Sequence, residues 1–456
     1  MKASDPALNN LKRLLWLYLF LLIFEGALRK WVVPQLSTPL LIARDPIVLL
    51  IYMLAMSRGI FPKNPLVQWM VVLAVLSFFA SLAGIGTLKV TIYGLHANFL
   101  HLPLIFLIPK IFDEEDVKKV GFFLLLLAGP MALLVLKQFR SSPDAWINAT
   151  AGGEVGGQMY AAAGKIRPAG LFSFVTGMVS YISVVAAYLS WHFLDGKIYR
   201  RILIFVAVPS FVLSIAVSGS RSAVAAVVIV FAAVVMICLF RGKAGAAGLR
   251  YGFLLCVIFI GMSLLPVFRE GIAVQEERFE EGGGVHEGIV DRFFGELVDA
   301  VIACPDAPIL GLGLGLGTNA GAGMVSGERG FLLSEGEWSR VIMESGPVLG
   351  LGYIALRFAI LYRIWVVAKE SFRKGSSLPF LLVGAMGLDL VTGQFGQPTE
   401  LGFVVFTCGL CLVPMGDCSS QPGESRIPSQ PVQESEKRIR GRSRYAEILH
   451  DEKPKS

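Results

Sequence analysis

Residues 122–128 read Phe-Phe-Leu-Leu-Leu-Leu-Ala, a run of apolar side chains that no polar residue interrupts. Strands of a transmembrane β-barrel alternate polar and apolar residues, so this run is typical of a membrane helix instead. It belongs to a longer apolar stretch, 117–139, which has about the 20 residues that a helix needs to cross a bilayer. The stretch therefore predicts a membrane-spanning helix.

Similar stretches recur on both sides of this run. We count twelve in all: 14–32, 39–56, 65–84, 88–111, 117–139, 168–194, 201–218, 222–240, 251–268, 338–362, 377–395 and 399–415. The chain of 456 residues is 54% hydrophobic and 16% charged, whereas soluble proteins are about 25% charged. The sequence thus predicts an all-α, polytopic membrane bundle of about 12 transmembrane helices. It excludes a soluble enzyme, a disordered protein and a disulfide-stapled secreted domain.

The positions of lysine and arginine predict how the chain is oriented. If the N-terminus is cytoplasmic, every short inner loop carries more than one of these residues, as cytoplasmic loops usually do. The first apolar stretch has a poor site for signal-peptide cleavage, so we interpret it as an uncleaved membrane anchor. We therefore predict a multi-pass protein of the cytoplasmic (inner) membrane with both termini in the cytoplasm. Its segments are the N-terminus 1–13, helices 1–9 in 14–268, a large extracytoplasmic loop 269–337, helices 10–12 in 338–415, and a disordered cytoplasmic tail 416–456.

The predicted outer loop contains two distinctive segments. Between Ile289 and Cys304, apolar residues recur at helical spacing among charged ones. This pattern predicts an amphipathic helix that lies on the membrane surface or caps a cavity. The run 311–317 alternates Gly and Leu, but it lacks the βαβ frame of a dinucleotide site. It predicts a close-packed or mobile backbone at the rim of a cavity.

Arg221 is the first charged residue whose position calls for an explanation, because an ionised side chain within a membrane is costly. It lies at the predicted outer end of a span, in Ser218-Gly219-Ser220-Arg221-Ser222, where small residues leave backbone amides accessible. Such a turn could clamp a diphosphate, because a guanidinium matches phosphate oxygens bidentately. The alternative is an arginine that reaches the lipid headgroups.

Further cations lie on the predicted outer side. Arg167 enters a span there, and Arg29 and Lys30 end the first span. An anionic ligand at the outer leaflet would explain them, so all three are candidate substrate-binding residues. Arg167 could equally anchor the membrane edge, and Arg44 and Asp45 could simply pair with a neighbouring span.

Three charged residues follow the loop at the spacing of one helix face. Glu337, Arg340 and Glu344 are related as i, i+3 and i+7. A carboxylate at a water-filled membrane edge can act as a general base, which makes Glu337 a catalytic candidate and Arg340 and Glu344 substrate-binding ones. The same residues could instead form a salt-bridged helix start, with Ser334 and Glu337 as a capping box.

Histidines and cysteines suggest no metal or cofactor site. His96 and His101 are five residues apart, which on a regular helix places them on different faces, so we expect both to be packed and hydrogen-bonded. Cys408 and Cys411 have CxxC spacing, but on a membrane helix this predicts two neighbouring buried thiols.

In their order along the chain, several of these motifs resemble the O-antigen ligase and O-antigen polymerase superfamily, and in particular an exopolysaccharide polymerase-like branch. They are Glu25–Trp31, Ile42–Pro46, Arg167–Phe172, Ser218–Ala223, Asp291–Phe293 before Pro308–Gly313, and Glu344–Gly350. The resemblance covers about residues 14–414. It implies a metal-independent glycosyltransferase without a cofactor, which moves a glycan from a polyprenyl diphosphate carrier to an acceptor sugar outside the cytoplasmic membrane.

The resemblance also implies residue roles. Arg221 and Arg292, together with Arg167, would hold the diphosphate. Ligases of the family carry a loop histidine before the last group of helices, where this chain reads Glu-Gly-Glu-Trp over 335–338. Glu337 is therefore the predicted substitute base, and His286, in a Gly-rich acidic stretch, is expected to matter little.

Three functions stay open. The first is a glycosyltransferase that polymerises or ligates lipid-linked glycan, with a donor, a glycan acceptor and membrane lipids as partners, a flippase and a chain-length regulator as further candidates, and no nucleic acid. The second is a transporter or flippase of lipid-linked glycan, although the sequence lacks the repeated interrupted helices of many transporters. The third is a non-catalytic assembly partner. Polymerase and ligase are not distinguished.

Overall fold

The computed structural model describes residues 6–196, 198–280, 284–326, 333–334 and 336–415. The structure is 75% helical. Among the described residues there is no β-strand, and one isolated antiparallel bridge pairs Tyr160 with Ile166. The prediction of an all-α protein is confirmed.

The helices are numbered in chain order. They are α1 (Pro6–Ala27), α2 (Ser37–Leu40), α3 (Asp45–Ser57), α4 (Pro65–Ser81), α5 (Leu88–Leu95), α6 (Leu104–Ile111), α7 (Glu114–Arg140), α8 (Val175–Leu194), α9 (Arg201–Ala216), α10 (Arg221–Phe240), α11 (Gly242–Met262), α12 (Pro266–Glu280), α13 (Gly284–Asp306), α14 (Asn319–Ser326), α15 (Glu337–Arg373), α16 (Leu378–Thr392) and α17 (Pro398–Cys411). Five-residue π-helical turns follow α1 and α5, at Leu28–Val32 and His96–Leu100, and 3-10 turns lie at Pro34–Leu36 and Trp146–Asn148.

Several helices have the length and composition of membrane spans. Five segments qualify singly: Pro34–Ser57, α7, α8, α10 and α15. Two bent pairs, Leu88–Ile111 with a bend of 46° and Arg250–Glu280 with a bend of 107°, raise the number to seven if each is one span. The shorter helices α4, α9, α16 and α17 are also apolar. These helices indicate a membrane protein, and the count of twelve spans stays a prediction.

Large apolar side chains cover the outside of the bundle. Phe79, Phe205 and Leu239 are 63%, 81% and 73% exposed. An apolar surface of this kind suits contact with lipid chains better than contact with water. Inside the bundle, α8 is the most enclosed of the candidate spans and packs against α7, α10, α16 and α17.

The Gly/Leu run 311–317 is inserted into the bundle. The backbone N–H of Ile85 donates to the Leu312 carbonyl at 2.9 Å, and the N–H of Leu314 donates to the Ser81 hydroxyl at 2.9 Å. Contact is so close that a Cβ atom on Gly94 would lie 2.5 Å from the backbone nitrogen of Gly315, which itself has a φ of +92°. The predicted close-packed backbone is confirmed.

A break in α15 receives this run. Gly346 has φ +80° and ψ 163°, and Pro347 follows it. Because proline has no N–H, the Met343 carbonyl four residues earlier has no helical donor. The N–H of Leu312 donates to this carbonyl at 2.8 Å, and the N–H of Gly313 donates to the Glu344 carbonyl at 3.0 Å. The break therefore supplies the acceptors that an irregular backbone needs inside a membrane protein.

The remaining predictions about the loop and the tail have mixed outcomes. Helix α13 covers the predicted amphipathic helix at 289–304. The extracytoplasmic location of 269–337 stays a prediction. The predicted tail, 416–456, lies outside the described residues. Cys408 and Cys411 are free and buried, as expected.

Candidate functional site

A cluster of charged side chains is buried at the start of α15. Glu337, Arg340 and Glu344 are 1%, 3% and 0% exposed. Arg340 donates to Glu337 from Nε and from Nη2, both at 2.9 Å, and to Glu344 from Nη1 at 2.7 Å. The prediction that the three residues share one helix face is confirmed. Buried charges require such pairing, because an unpaired ion in an apolar interior is costly.

A second arginine completes the cluster. Arg357 donates from Nη1 to Glu337 Oε1 at 2.8 Å. Its other nitrogens donate to the carbonyls of Leu390 and Gly393, both at 2.7 Å, and its guanidinium lies 3.8 Å from the centre of the Phe395 ring. Sequence reasoning missed this residue, although its place within the predicted span 338–362 was a usable signal.

Three other parts of the chain converge on the cluster. Asn98, in the π turn after α5, accepts from Arg340 Nη2 at 3.0 Å, and its carbonyl accepts from the Tyr353 hydroxyl at 2.8 Å. At the end of the Gly/Leu run, the N–H of Gly317 donates to Glu344 at 2.8 Å. The loop between α16 and α17 adds Phe395, whose N–H lies 3.4 Å from Glu337 Oε1. The cluster is thus held by contacts from separate elements.

The alternative prediction of a salt-bridged helix start is confirmed, but the capping box of Ser334 and Glu337 is wrong. The N-cap of α15 is Gly336, without a side-chain cap. Instead, Glu296 of α13 accepts the backbone N–H groups of Glu337 and Trp338 at 3.1 and 3.0 Å. Burial raises the pKa of Glu296, and these two hydrogen bonds oppose that rise. No local sequence pattern signals a cap that comes from 41 residues away.

Two differently lined openings lie beside the start of α15. The first, the polar crevice, encloses about 10 Å³, room for about one water molecule, and is lined by Gly317, Thr318, Asn319, Glu337, Arg340, Gln394, Gly396 and Gln397. The second, the apolar groove, encloses about 310 Å³ and is lined by Leu297, Ala300, Val301, Cys304, Trp338, Leu351, Ile354 and Phe358. The consecutive residues Glu337 and Trp338 line one opening each.

Two cations in the π turn after α1 are bonded, with Arg29 partly buried and Lys30 buried. Arg29 contacts Glu25 at 3.4 Å and the Ser173 hydroxyl at 3.2 Å. Lys30, which is 1% exposed, donates to the Gly170 carbonyl at 2.6 Å. Arg44 binds the other Glu25 oxygen at 3.3 Å, so its predicted pairing with a neighbouring helix is confirmed.

Arg167 lies beside the turn that ends in Arg221. Gly219 in this turn has a φ of +54°, and a Cβ atom built on it would lie 3.8 Å from Arg167 Cγ. Arg221 is the first residue of α10. Arg292 falls in α13, but its side chain, like that of His286, lies outside the described residues.

The predicted site residues therefore form three groups. Glu337, Arg340 and Glu344 meet at α15, Arg29 and Lys30 lie at the end of α1, and Arg167 lies beside the turn of Arg221. Sequence reasoning missed Arg357, Glu296 and Asn98.

Among the described residues, one set of side chains has the spacing to hold a metal ion, namely Asp45, His96 and His101, whose ligand atoms all lie within 4.8 Å of one another.

No family model matches this chain, and no curated protein matches it in sequence.

Proposed function

We propose that the chain is a membrane glycosyltransferase that polymerises or ligates a polyprenyl-diphosphate-linked glycan at the outer face of the cytoplasmic membrane. The observation that carries the proposal is that a polar crevice and an apolar groove lie beside consecutive residues of α15. Glu337 and Arg340 line the crevice, and Trp338 lines the groove. A ligand with a charged, hydrogen-bonding head and a long apolar chain has side chains of matching polarity for both parts, and the crevice must widen to admit the head, because as it stands it has room for about one water molecule.

The proposal includes twelve spans with both termini in the cytoplasm. A helix or a helix pair lies in each of the twelve predicted stretches, which supports this count. In that arrangement the start of α15 lies at the outer face, where a translocated lipid-linked donor would present its diphosphate. The Lys/Arg distribution gives the direction of insertion.

The proposed reaction is a substitution at the anomeric carbon. The acceptor hydroxyl attacks that carbon, the bond to the diphosphate oxygen breaks, and the diphosphate leaves with the electron pair. Arg340 lines the crevice and would stabilise the leaving charge, with Arg221, Arg292 and Arg167 as the further predicted contacts. Glu337 would take the hydroxyl proton. Its oxygens already accept hydrogen bonds from Arg340 and Arg357, so proton uptake requires one of these bonds to give way.

A transporter of lipid-linked glycan is the second candidate. The break of α15 at Gly346 and the bend between α5 and α6 favour it, because interrupted helices form the binding sites of many transporters. A transporter would move the donor between leaflets without forming a glycosidic bond.

The decisive experiment uses the purified chain in liposomes that contain lipid-linked glycan. We expect longer or transferred glycan with the wild type and loss of product with Arg340→Gln, provided that the variant elutes as folded protein. Glu370→Gln is the control, because Glu370 is an exposed residue at the far end of α15 that pairs with Lys374 at 2.6 Å. Donor movement without any new bond would favour the transporter. An unchanged product profile with Arg340→Gln would contradict the proposed site.

A further inference from the structure

Two histidines and an aspartate meet in the interior near the start of α3. Asp45 is the first residue of α3, His96 begins the π turn, and His101 follows it. The prediction that the two histidines lie on different faces is wrong, because a π turn, with its i→i+5 hydrogen bonds, has more residues per turn than an α-helix and brings positions five apart closer to one face. Their ring centres are 5.5 Å apart.

The three side chains present a set of metal-ligating atoms. His96 Nδ1 lies 2.6 Å from one Asp45 oxygen, and His101 Nε2 lies 3.1 Å from the other. The side chains of Asp45, His96 and His101 are 15%, 8% and 1% exposed. Two imidazoles and a carboxylate are a usual ligand set for divalent transition metals.

His96 gives a second, independent observation. It is a buried residue whose Nδ1 faces Asp45 at 2.6 Å, and its Nε2 has no hydrogen-bond partner among the described residues. The neighbouring Tyr93 hydroxyl is also buried without a partner. Buried polar groups in this state are destabilising, and a bound ion would satisfy the imidazole.

The surroundings hold the other two ligands in place. The Tyr18 hydroxyl lies 2.9 Å from His101 Nδ1, which directs Nε2 toward Asp45. Arg44 binds Glu25, Tyr18 and the Pro398 carbonyl instead. The Asp45 carboxylate is thus left for the histidines.

We propose that Asp45, His96 and His101 bind a divalent transition-metal ion of the zinc type. Zinc binds nitrogen and carboxylate oxygen at about 2.0–2.2 Å, so tetrahedral ligand atoms lie roughly 3.3 Å apart. Small side-chain movements bring the three residues to this spacing. The three ligands leave a fourth coordination position for a water molecule.

The ion would have a positioning role. The π turn that it holds also carries Asn98, which binds Arg340. The ion therefore ties α3 to the element that orients Arg340 and takes no part in transferring the glycan. The inference does not depend on the proposed glycosyltransferase activity.

The first test measures metal in the purified wild type. The protein carries an affinity tag without histidine, and bound metals are counted by mass spectrometry. We expect one zinc ion per chain. Removal with a chelator should lower the thermal unfolding temperature, and added Zn²⁺ should restore it. Added Co²⁺ should give the visible absorption of a low-symmetry nitrogen and oxygen site.

Substitutions of the three proposed ligands test where the ion binds. His96→Ala, His101→Ala and Asp45→Asn should lose the zinc, whereas His192→Ala should keep it, because His192 is a buried histidine that bonds the Tyr199 backbone elsewhere. Retention of zinc in the three variants would overturn the assignment. So would a wild type that contains no metal and shows neither a thermal shift nor cobalt absorption, a result that does not require any variant to fold.

Discussion

Glu337 lies between two guanidinium groups, and this position sharpens its predicted role. If Glu337 is the base, Glu337→Gln should lower turnover by about 10²–10⁴-fold and leave donor binding intact. Glu344→Gln is the matched control, because it removes a carboxylate from the same Arg340 without removing the proposed base. An assay with lipid-linked substrate in purified membranes measures both. Equal losses in the two variants would mean that Glu337 only balances charge. His286→Ala should retain most of the rate.

Substitutions of Arg221 test whether its guanidinium binds the diphosphate. We expect Arg221→Ala to abolish polymer formation while the protein still inserts, and Arg221→Lys to be poor, because an ammonium group cannot make a bidentate contact. Arg201→Lys is the control, since Arg201 also begins a helix and is exposed. The glycan chain-length profile of cells that express each variant gives the readout. Near-normal polymer formation by Arg221→Lys would contradict the bidentate clamp and show that only a positive charge is needed at this position.

At the scale of elements, the start of α15 depends on a cap from α13. Glu296→Ala removes the acceptor of two backbone N–H groups, and loss of a cap typically costs about 0.5–2 kcal/mol. We expect a lower unfolding temperature and a lower rate, since the capped turn carries Glu337. Glu277→Ala, at an exposed position of α12, should change neither. Thermal unfolding in detergent checks the first effect, and unchanged stability of Glu296→Ala would contradict the cap.

The contact between α5 and the Gly/Leu run gives a second prediction at this scale. Gly94→Ala places a Cβ atom 2.5 Å from the Gly315 nitrogen, whereas a Cβ atom on Gly252 of α11 has nothing within 4 Å. Alanine is otherwise favoured over glycine inside a helix by about 0.5–1 kcal/mol. Gly94→Ala should therefore destabilise the protein, and Gly252→Ala should stabilise it slightly. Equal unfolding temperatures for the two variants would rule out the tight contact.

Sequence patterns predicted the regular parts of these elements and missed the irregular ones. Apolar length identified the helices because lipid requires every backbone group to be bonded within the chain. The i, i+3, i+7 spacing likewise predicted the Glu337–Arg340–Glu344 face. The π turn that brings His96 to His101, and the cap from Glu296, depend on contacts between distant segments. A periodicity argument assumes a regular helix and has no means to detect either.

At the scale of the whole molecule, topology is the main open prediction. Reporter fusions at Gly283 and Ser420 should report opposite sides of the membrane, because the Lys/Arg distribution places 269–337 outside and the tail inside. Activity of each reporter in intact cells gives the answer. The same side for both positions would reject the scheme of twelve spans.

The position of the Gly/Leu run in the chain has a consequence for biosynthesis. Residues 311–317 fill the space beside α4 and α5, yet the ribosome makes them long after those helices. At about 5–20 residues per second, the roughly 220 residues between Gly94 and Gly315 take on the order of 10–45 s to synthesise. During that interval α4 and α5 lack the segment that fills the space beside them, and donors such as the N–H of Ile85 lack their partner. A truncated chain that stops before residue 311 would keep this immature state and become a substrate for membrane quality-control proteases.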